Sequence, residues 1–141
     1  MVLYDMAGHL IRRLNQISTT VFHQYVKQAG YDMTPVQFAS MLVLQTNPDI
    51  EQAQISALIA YDRATIGGVI DRLEQKGYIS RSVSSRDKRA RECRLTPEGE
   101  KVIQQVTPVV ESLQYQILNG LSEDEYRQFL ALAQKAISQN Q

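Results

Sequence analysis

The chain has 141 residues, of which 43% are hydrophobic and 21% charged, a composition that is ordinary for a globular domain and excludes a fibrous or disordered chain. No apolar run approaches the roughly 20 residues that a membrane-spanning helix needs, and the N-terminal stretch lacks the features of a signal peptide. A single cysteine excludes an internal disulfide framework, so a reducing cytoplasm is the expected location.

The formal net charge is zero, but the basic residues are unevenly distributed. Nine of the 15 lysines and arginines fall between Arg63 and Arg94, and six of those nine lie in 81–94, where the acids are Asp87 and Glu92. A locally positive stripe on a neutral molecule is compatible with binding DNA through one face.

Helical spacing of apolar residues predicts a long first helix from about Tyr4 to Ala29. Thr34, Pro35 and Gln37 are typical of a capping box with proline at the first helical position, and they predict a largely buried helix ending near Gln45. After a turn at Asn47-Pro48, a short helix is predicted over 50–59.

The next predicted helix runs from Arg63 to Lys76 and ends at Gly77, a residue that readily takes a left-handed conformation. Asp62 precedes it and is expected to cap it by accepting a hydrogen bond from the backbone N–H near Thr65. Two short helices joined by a tight turn are the plan of a helix-turn-helix.

The residues after this helix alternate as in two strands, 78–83 and 91–95, joined by the basic loop 84–90. Thr96-Pro97 is expected to open a helix reaching about Asn119, and Ser122 to cap a last helix. The chain is therefore predicted to be mainly α with a small β-hairpin, a winged helix-turn-helix domain on an α-helical frame.

Side chains at the start of a helix in the major groove reach the edges of the bases. Arg63 could bond bidentately to guanine, although a surface arginine that offsets Asp62 is the alternative, and Thr65 could bond a base or pack on a thymine methyl group. The candidate DNA contacts on this helix are Arg63, Ala64, Thr65, Gly67, Gly68 and Arg72, with Arg72 facing phosphate.

Two adjacent glycines, Gly67 and Gly68, lie inside this helix, where each costs about 1 kcal/mol relative to alanine. Either a close approach of the helix backbone to DNA or tight packing against the preceding helix would offset this cost. The sequence leaves both explanations open.

The loop between the predicted strands carries a second set of candidate DNA contacts, Arg86, Asp87, Lys88 and Arg89. An arginine at a hairpin tip can enter the narrow, electronegative minor groove. Asp87 could hold the Arg89 guanidinium in an extended pose through a charged hydrogen bond. In isolation the loop would be a solvated basic hairpin, but beside a helix-turn-helix it indicates a wing.

Four stretches together resemble the MarR family: 61–65 and 71–79 are similar to its recognition helix and first wing strand, and 85–90 and 95–99 to its wing signature. The resemblance extends over essentially the whole chain. It implies a homodimeric repressor that binds a pseudo-palindromic operator in double-stranded DNA. It also implies release by a small effector, often a phenolic or aromatic acid.

The resemblance further implies a DNA-binding lobe over 34–95 and dimerisation helices over 1–30 and 97–141. Carried over residue by residue, it directs Arg63 and Thr65 to the major groove and makes Asp87 and Arg89 the wing-tip pair. Gly67 and Gly68 stand where the family often has larger polar residues, which puts direct base contacts there in doubt.

Five polar residues fall together on the non-apolar side of the first helix: His9, Arg12, Arg13, Gln16 and His23. An arginine with histidine and glutamine nearby suits a carboxylate that carries a ring. In the family the effector cavity lies between the DNA-binding lobe and the dimer helices, so this face is expected to line it, with Phe38 and Met41 as an apolar wall. A solvated face, or a polar contact across the dimer, is the alternative.

The remaining classes find little support. Cys93 alternates onto the same side as Leu95, which favours a small buried hydrophobe over a redox switch. Two distant histidines and one cysteine make no metal site, no nucleophile–base pair or phosphate loop indicates an enzyme, and no cofactor is expected. A winged-helix module that binds protein instead of DNA is the other rival, and the basic wing and Arg63 argue against it.

Overall fold

The computed structural model describes residues 1–140. After a 3-10 turn at Leu3–Asp5, the elements are α1 (Ala7–Gln28), α2 (Pro35–Thr46), β1 (Ile50–Glu51), α3 (Gln52–Leu58), α4 (Arg63–Gln75), β2 (Ile79–Val83), β3 (Arg91–Leu95), α5 (Pro97–Ile117) and α6 (Glu123–Ser138). This confirms the predicted class, mainly α with a small antiparallel sheet. None of the helices within 1–140 is both long and apolar enough to cross a membrane.

The chain divides into two compact units. The winged unit is Phe22–Glu111, and the terminal unit is Met1–Val21 together with the residues from Ser112 onward. Because α1 and α5 span these boundaries, each helix contributes a segment to both units. The candidate DNA contacts all belong to the winged unit.

The sheet has three antiparallel strands in the order β1-β3-β2, one strand more than the predicted hairpin. Ile50 pairs with Cys93, and the backbone N–H of Asp49 donates to the Cys93 carbonyl at 3.0 Å. The helix predicted from residue 50 therefore starts at Gln52, where the backbone N–H of Glu51 donates to the Gln54 side chain at 2.9 Å. A two-residue strand is too short to show a period, which is why the pattern missed it.

Side chains from the helices and strands of the winged unit form its core. Helix α4 contributes Ile66, Ile70 and Leu73, each at most 1% exposed, while Val69 on the same helix is half-buried. The fully buried side chains of this unit include Met41, Leu44, Ile55, Ile79, Cys93, Ile103 and Val106. This packing fixes which face of α4 remains exposed.

The predicted capping box of α2 is confirmed. The Thr34 hydroxyl accepts from the backbone N–H of Gln37 at 3.2 Å, and the Gln37 side chain accepts from the backbone N–H of Thr34 at 3.2 Å. These bonds satisfy two backbone donors that a helix start otherwise leaves unpaired. The capping box of α6, between Ser122 and Glu125, is closed in the same way.

Helix α5 begins in backbone contact with Tyr78, the residue before β2. The backbone N–H of Thr96 donates to the Tyr78 carbonyl at 3.0 Å, and the Thr96 hydroxyl accepts from the backbone N–H of Gly99 at 3.0 Å. A Cβ atom at Gly99 would lie 2.1 Å from the Tyr78 carbonyl oxygen, well inside van der Waals contact. Only glycine fits at this position without displacing backbone.

The terminal unit exposes much of its apolar surface. Exposed large apolar residues in it are Met1, Val2, Leu3, Tyr4, Met6, Leu10, Ile11, Ile17, Tyr115, Leu121, Leu130, Leu132 and Ile137. Tyr115 and Tyr126 stack with ring centroids 5.1 Å apart. Exposed apolar surface of this extent is typical of an interface with another chain.

Candidate nucleic-acid interface

Helix α4 presents a polar, exposed first turn. Asp62 caps it, as expected, by accepting from the backbone N–H of Ala64, the neighbour of Thr65, at 2.8 Å. The backbone N–H of Thr65 instead bonds to the main-chain carbonyl of Asp62 at 3.1 Å. With its carboxylate used as the cap, Asp62 forms no ion pair with Arg63, and Arg63 is exposed.

The two glycines of α4 have different surroundings. A Cβ at Gly68 would meet nothing within 4 Å, whereas one at Gly67 would lie 3.4 Å from the Gln52 side-chain nitrogen, an ordinary van der Waals distance. Tight packing against the preceding helix therefore does not explain Gly68. Its side of α4 faces open space.

The exposed side of α4 continues into a shallow groove of about 320 Å³ shared with the start of α2. The groove is lined by Thr34, Val36, Gln37, Thr65, Gly68, Val69 and Arg72. It places Thr65, Gly68 and Arg72 on one continuous surface. All three are among the candidate DNA contacts that the sequence predicts on this helix.

The loop 84–90 holds its arginine as predicted. The Nε of Arg89 donates to the Oδ1 of Asp87 at 3.2 Å, and the backbone N–H of Arg89 donates to the same oxygen at 3.0 Å. Both bonds lower the pKa of Asp87 below its usual range, and the backbone bond has the larger effect. The Arg89 side chain is 92% exposed, so the pair fixes its direction without burying it.

A buried serine, which the sequence did not reveal, shapes the base of this loop. Ser84 is 4% exposed, and its hydroxyl accepts from the backbone N–H groups of Arg86 and Asp87 at 3.1 and 3.3 Å. Carboxylate oxygens of Glu51 and Glu92 lie 3.1 and 3.3 Å from the same hydroxyl. These bonds tie the loop to the sheet, so its tip is presented from a fixed base.

The first turn of α4 and the wing loop line a common groove of about 500 Å³. Three arginines contribute to it: Arg63 from α4, Arg89 from the loop and Arg91 from the start of β3. Arg91 was not predicted, because alternation along a strand does not reveal which strand end faces a neighbouring helix. Glu51 and Asp87 also line the groove, so its three arginines outnumber its carboxylates by one. A groove with net positive charge beside an exposed helix start suits a polyanion.

Two arginines of the basic stripe are already used inside the protein. Arg94 forms a bidentate pair with Asp49, with both N–O distances 2.7 Å. Arg81 pairs with Asp71 and Glu74 at 2.5 and 3.0 Å. Within residues 1–140, the stripe's cations without an ion pair are Arg63, Arg72, Lys76, Arg86, Lys88 and Arg91. The sequence window therefore overstated the positive charge open to a ligand.

The residues of the expected effector face are divided between the two units. In the terminal unit, the Nη2 of Arg12 lies 3.3 Å from the Nδ1 of His9, and Arg13 and Gln16 line a groove of about 260 Å³ on α1. In the winged unit, the exposed His23 contacts Phe22 edge to face. The two apolar residues of that face, Phe38 and Met41, are 9% and 0% exposed. A cavity formed by all seven residues stays a prediction.

Cys93 lies fully buried on β3, where burial raises the pKa of its thiol to about 11. The thiol is therefore protonated near neutral pH, and the reactive thiolate is scarce. Among residues 1–140, no group of three or more histidine, cysteine, aspartate or glutamate side chains is arranged to hold a metal ion.

Comparison with known proteins connects this geometry to characterised chains. A family model described as the MarR family matches residues 33–90. Over 138 residues the chain is 31% identical to the transcriptional regulator HosA of Escherichia coli O127:H6 (strain E2348/69 / EPEC), covering 98% of this chain and 99% of that protein. The sequence likeness thus extends well beyond the segment that the family model matches.

Two similar solved structures cover nearly the whole chain. BpsR of Bordetella bronchiseptica, whose DNA binding is regulated by 6-hydroxynicotinic acid, superposes with a TM-score of 0.88 at 26% identity over 96% of each chain. A cysteine-to-serine mutant of MarR from Escherichia coli, complexed with operator DNA, superposes with a TM-score of 0.82 at 25% identity, covering 92% of this chain and 91% of that chain.

Proposed function

The chain belongs to the MarR family of transcriptional regulators, and we propose that it is a homodimeric repressor that binds a pseudo-palindromic operator and is released by a small aromatic acid. Such a regulator is a DNA-binding protein and not an enzyme. The observation that carries the proposal is the shared groove in which Arg63 of α4 and Arg89 of the loop lie together. The similar proteins named above are bacterial, and the DNA of a bacterium lies in the cytoplasm, where we expect this chain to act.

In the proposed complex α4 is the recognition helix, and the wing, which is β2, β3 and the loop 84–90, follows the backbone to the minor groove. Arg63 and Thr65 contact base edges, and Arg72, Arg86 and Lys88 contact phosphates. Ala64, Gly67 and Gly68 let the helix backbone approach closely. The open space at Gly68 supports this role. The operator complex of the similar MarR mutant supports DNA as the partner of the whole domain.

We assign DNA binding to residues 34–95 and dimerisation to 1–30 and 97–141. The exposed apolar side chains of the terminal unit support the second assignment, because a single copy leaves them in water. Two copies related by a twofold axis would present two recognition helices about one helical turn of DNA apart, which matches a pseudo-palindromic site.

Affinity for a duplex of about 30 base pairs, selected by the wild-type protein from a randomised pool, is expected to fall steeply with salt. The slope of log K against log [KCl] should be about −0.9 for each phosphate contact. A fluorescence-anisotropy titration at several KCl concentrations measures it. If no duplex is bound even at low salt, the proposed function is wrong, and this is the result that the protein-binding alternative predicts.

The Arg63→Ala variant separates base reading from phosphate contact. It is expected to lose about 10- to 100-fold of its discrimination at one base pair per half-site, which corresponds to about 1–3 kcal/mol for a bidentate contact. Arg72→Ala is the matched control, which should weaken all sequences alike and reduce the salt slope by about 1. Selection on randomised duplexes distinguishes the two patterns. If Arg63→Ala keeps the base preference of the wild-type protein, Arg63 does not contact a base.

The effector is proposed to place its carboxylate against Arg13 on α1. Arg13 and Gln16 line the same groove, and His9 and Arg12 lie on the adjacent part of the helix. A guanidinium with an amide and an imidazole nearby suits a ring that carries a carboxylate. Regulation of BpsR by 6-hydroxynicotinic acid supports this ligand class. The contributions of His23, Phe38 and Met41 stay predictions.

Replacing Arg13 with alanine is expected to raise the acid concentration needed for release from the duplex by about 10- to 100-fold. A hydrogen bond to a charged group contributes about 1.5–3 kcal/mol, which accounts for this range. The measurement is release of labelled duplex by benzoate, salicylate and 6-hydroxynicotinic acid. Arg127→Ala, an exposed arginine paired with Glu123, is the control. An unaltered response in Arg13→Ala would show that the acid binds elsewhere.

A further inference from the structure

Arg81, in the middle of β2, joins the wing to the recognition helix. β2 is an edge strand of the sheet, since only β3 pairs with it. Side chains alternate along a strand, so Ile79, Arg81 and Val83 share the face that begins against α4. Ile79 is 2% exposed and Val83 is 52% exposed. Arg81 is therefore the last side chain on that face held to the body of the domain.

Three side chains accept hydrogen bonds from this one guanidinium. Its Nη2 donates to Asp71 at 2.5 Å and to Glu74 at 3.0 Å, both on α4, and its Nη1 donates to Gln52 of α3 at 3.3 Å. The side-chain bond from Arg81 lowers the pKa of Glu74 below its usual range. A planar guanidinium with acceptors on two helices restrains direction more than a single ion pair does.

These contacts contribute more to orientation than to stability. Asp71 and Glu74 are 54% and 42% exposed, and exposed ion pairs typically contribute little to the free energy of folding. Arg94, another arginine of the wing, pairs with Asp49 on the turn before β1 and makes no ion pair with α4. Arg81 and Arg94 can therefore be compared directly, because Arg81 joins the wing to α4 whereas Arg94 joins it to the turn before β1.

We propose that Arg81 is a positioning residue, which sets the angle between wing and recognition helix so that Arg89 reaches DNA while α4 is in its groove. This inference rests on the proposed function. It assigns Arg81 no contact with DNA, although Arg81 belongs to the basic stripe. The recognition helix thereby carries two sets of side chains, one facing the duplex and one, Asp71 and Glu74, holding the wing.

A double-mutant cycle tests the proposal with the selected duplex as probe. Arg81→Met keeps the apolar stem and is expected to weaken binding about tenfold, within the usual coupling between interacting residues. In the Arg89→Ala background the same change should cost less than about twofold, because the wing contact has already been lost. The salt slope should not drop further in the double variant.

Several results would overturn the assignment. Affinity losses that multiply, with a salt slope reduced by about 1 for each arginine, would mean that Arg81 contacts phosphate directly. Full affinity in Arg81→Met would mean that the wing needs no such anchor. Arg94→Met is the control and should show no coupling to Arg89→Ala, so an equal coupling would mean that α4 does not set the wing angle.

Two further variants keep the test informative. The double substitution Asp71→Asn with Glu74→Gln removes both ion pairs while Arg81 remains. It should show the same coupling to Arg89→Ala as Arg81→Met does, and it replaces Arg81→Met in the test if Arg81→Met folds poorly. Arg81→Lys should recover part of the affinity. Thermal unfolding of every variant checks folding. Failure of the wild-type protein to select any duplex would instead count against the proposed function, which is a different result.

Discussion

Replacing Gly99 with alanine is expected to destabilise the winged unit by about 3 kcal/mol, the upper end of the usual cost of overpacking. The added Cβ would lie 2.1 Å from the Tyr78 carbonyl oxygen and 2.9 Å from its carbon. These are backbone atoms and cannot rotate away as a side chain does. The Tyr78 N–H and carbonyl are both in hydrogen bonds, to Leu73 and Thr96, so moving Tyr78 would break them.

Urea and thermal unfolding at matched protein concentration measure this effect, because the stability of the proposed dimer would depend on concentration. Gly68→Ala is the control on another helix of the same unit, where an added Cβ meets nothing within 4 Å. Without a clash, the gain in helix propensity should stabilise the protein by about 0.5–1 kcal/mol. If both substitutions changed stability in the same direction, the close backbone contact at Gly99 would not be the reason for its glycine.

Replacing Arg89 with alanine is expected to weaken binding of the selected duplex by about 10- to 100-fold, or about 1–3 kcal/mol, the usual cost of losing one specific arginine contact. The side chain is 92% exposed, and its bonds run to the neighbouring Asp87. Its removal therefore leaves no buried group unpaired, so unfolding temperature and dimerisation should stay unchanged. Anisotropy titration and sedimentation velocity separate these two effects.

Lys101→Ala is the matched control for this experiment, since Lys101 is an exposed cation of the winged unit that lies on α5, outside both the wing and α4. It should change affinity less than about twofold, because a distant exposed charge is largely screened at physiological salt. An Arg89→Ala variant that binds as tightly as the wild-type protein would remove the wing tip from the interface.

The start of α4 illustrates how far local chemistry reaches. Asp62 was predicted to cap this helix, and it does, because a carboxylate before a helix start finds unpaired backbone N–H groups within its own chain segment. The donor is the N–H of Ala64, and the N–H of Thr65 bonds to the main-chain carbonyl of Asp62. The pairing of Asp87 with Arg89, two residues apart, was predictable for the same reason.

The arginines of the basic stripe show where such reasoning stops. By sequence, Arg81, Arg86, Arg91 and Arg94 look alike. The fold pairs Arg94 with Asp49, which lies 45 residues away, and Arg81 with two carboxylates of α4, while Arg91 faces an open groove. Nothing in the spacing of charges predicts which of them find an acidic partner, because each partner is contributed by a different element.

The amino-acid sequence alone determined the helix boundaries to within a few residues, the caps, the β-hairpin with its basic loop, and the family to which the chain belongs. These features depend on interactions among residues within a few positions of one another, and a linear pattern records such interactions directly. Tertiary structure alone decided the pairing of β1, the burial of Ser84, the backbone contact at Gly99 and the partner of each arginine. Those features depend on segments that meet only when the core closes, so their distances are not contained in any local pattern.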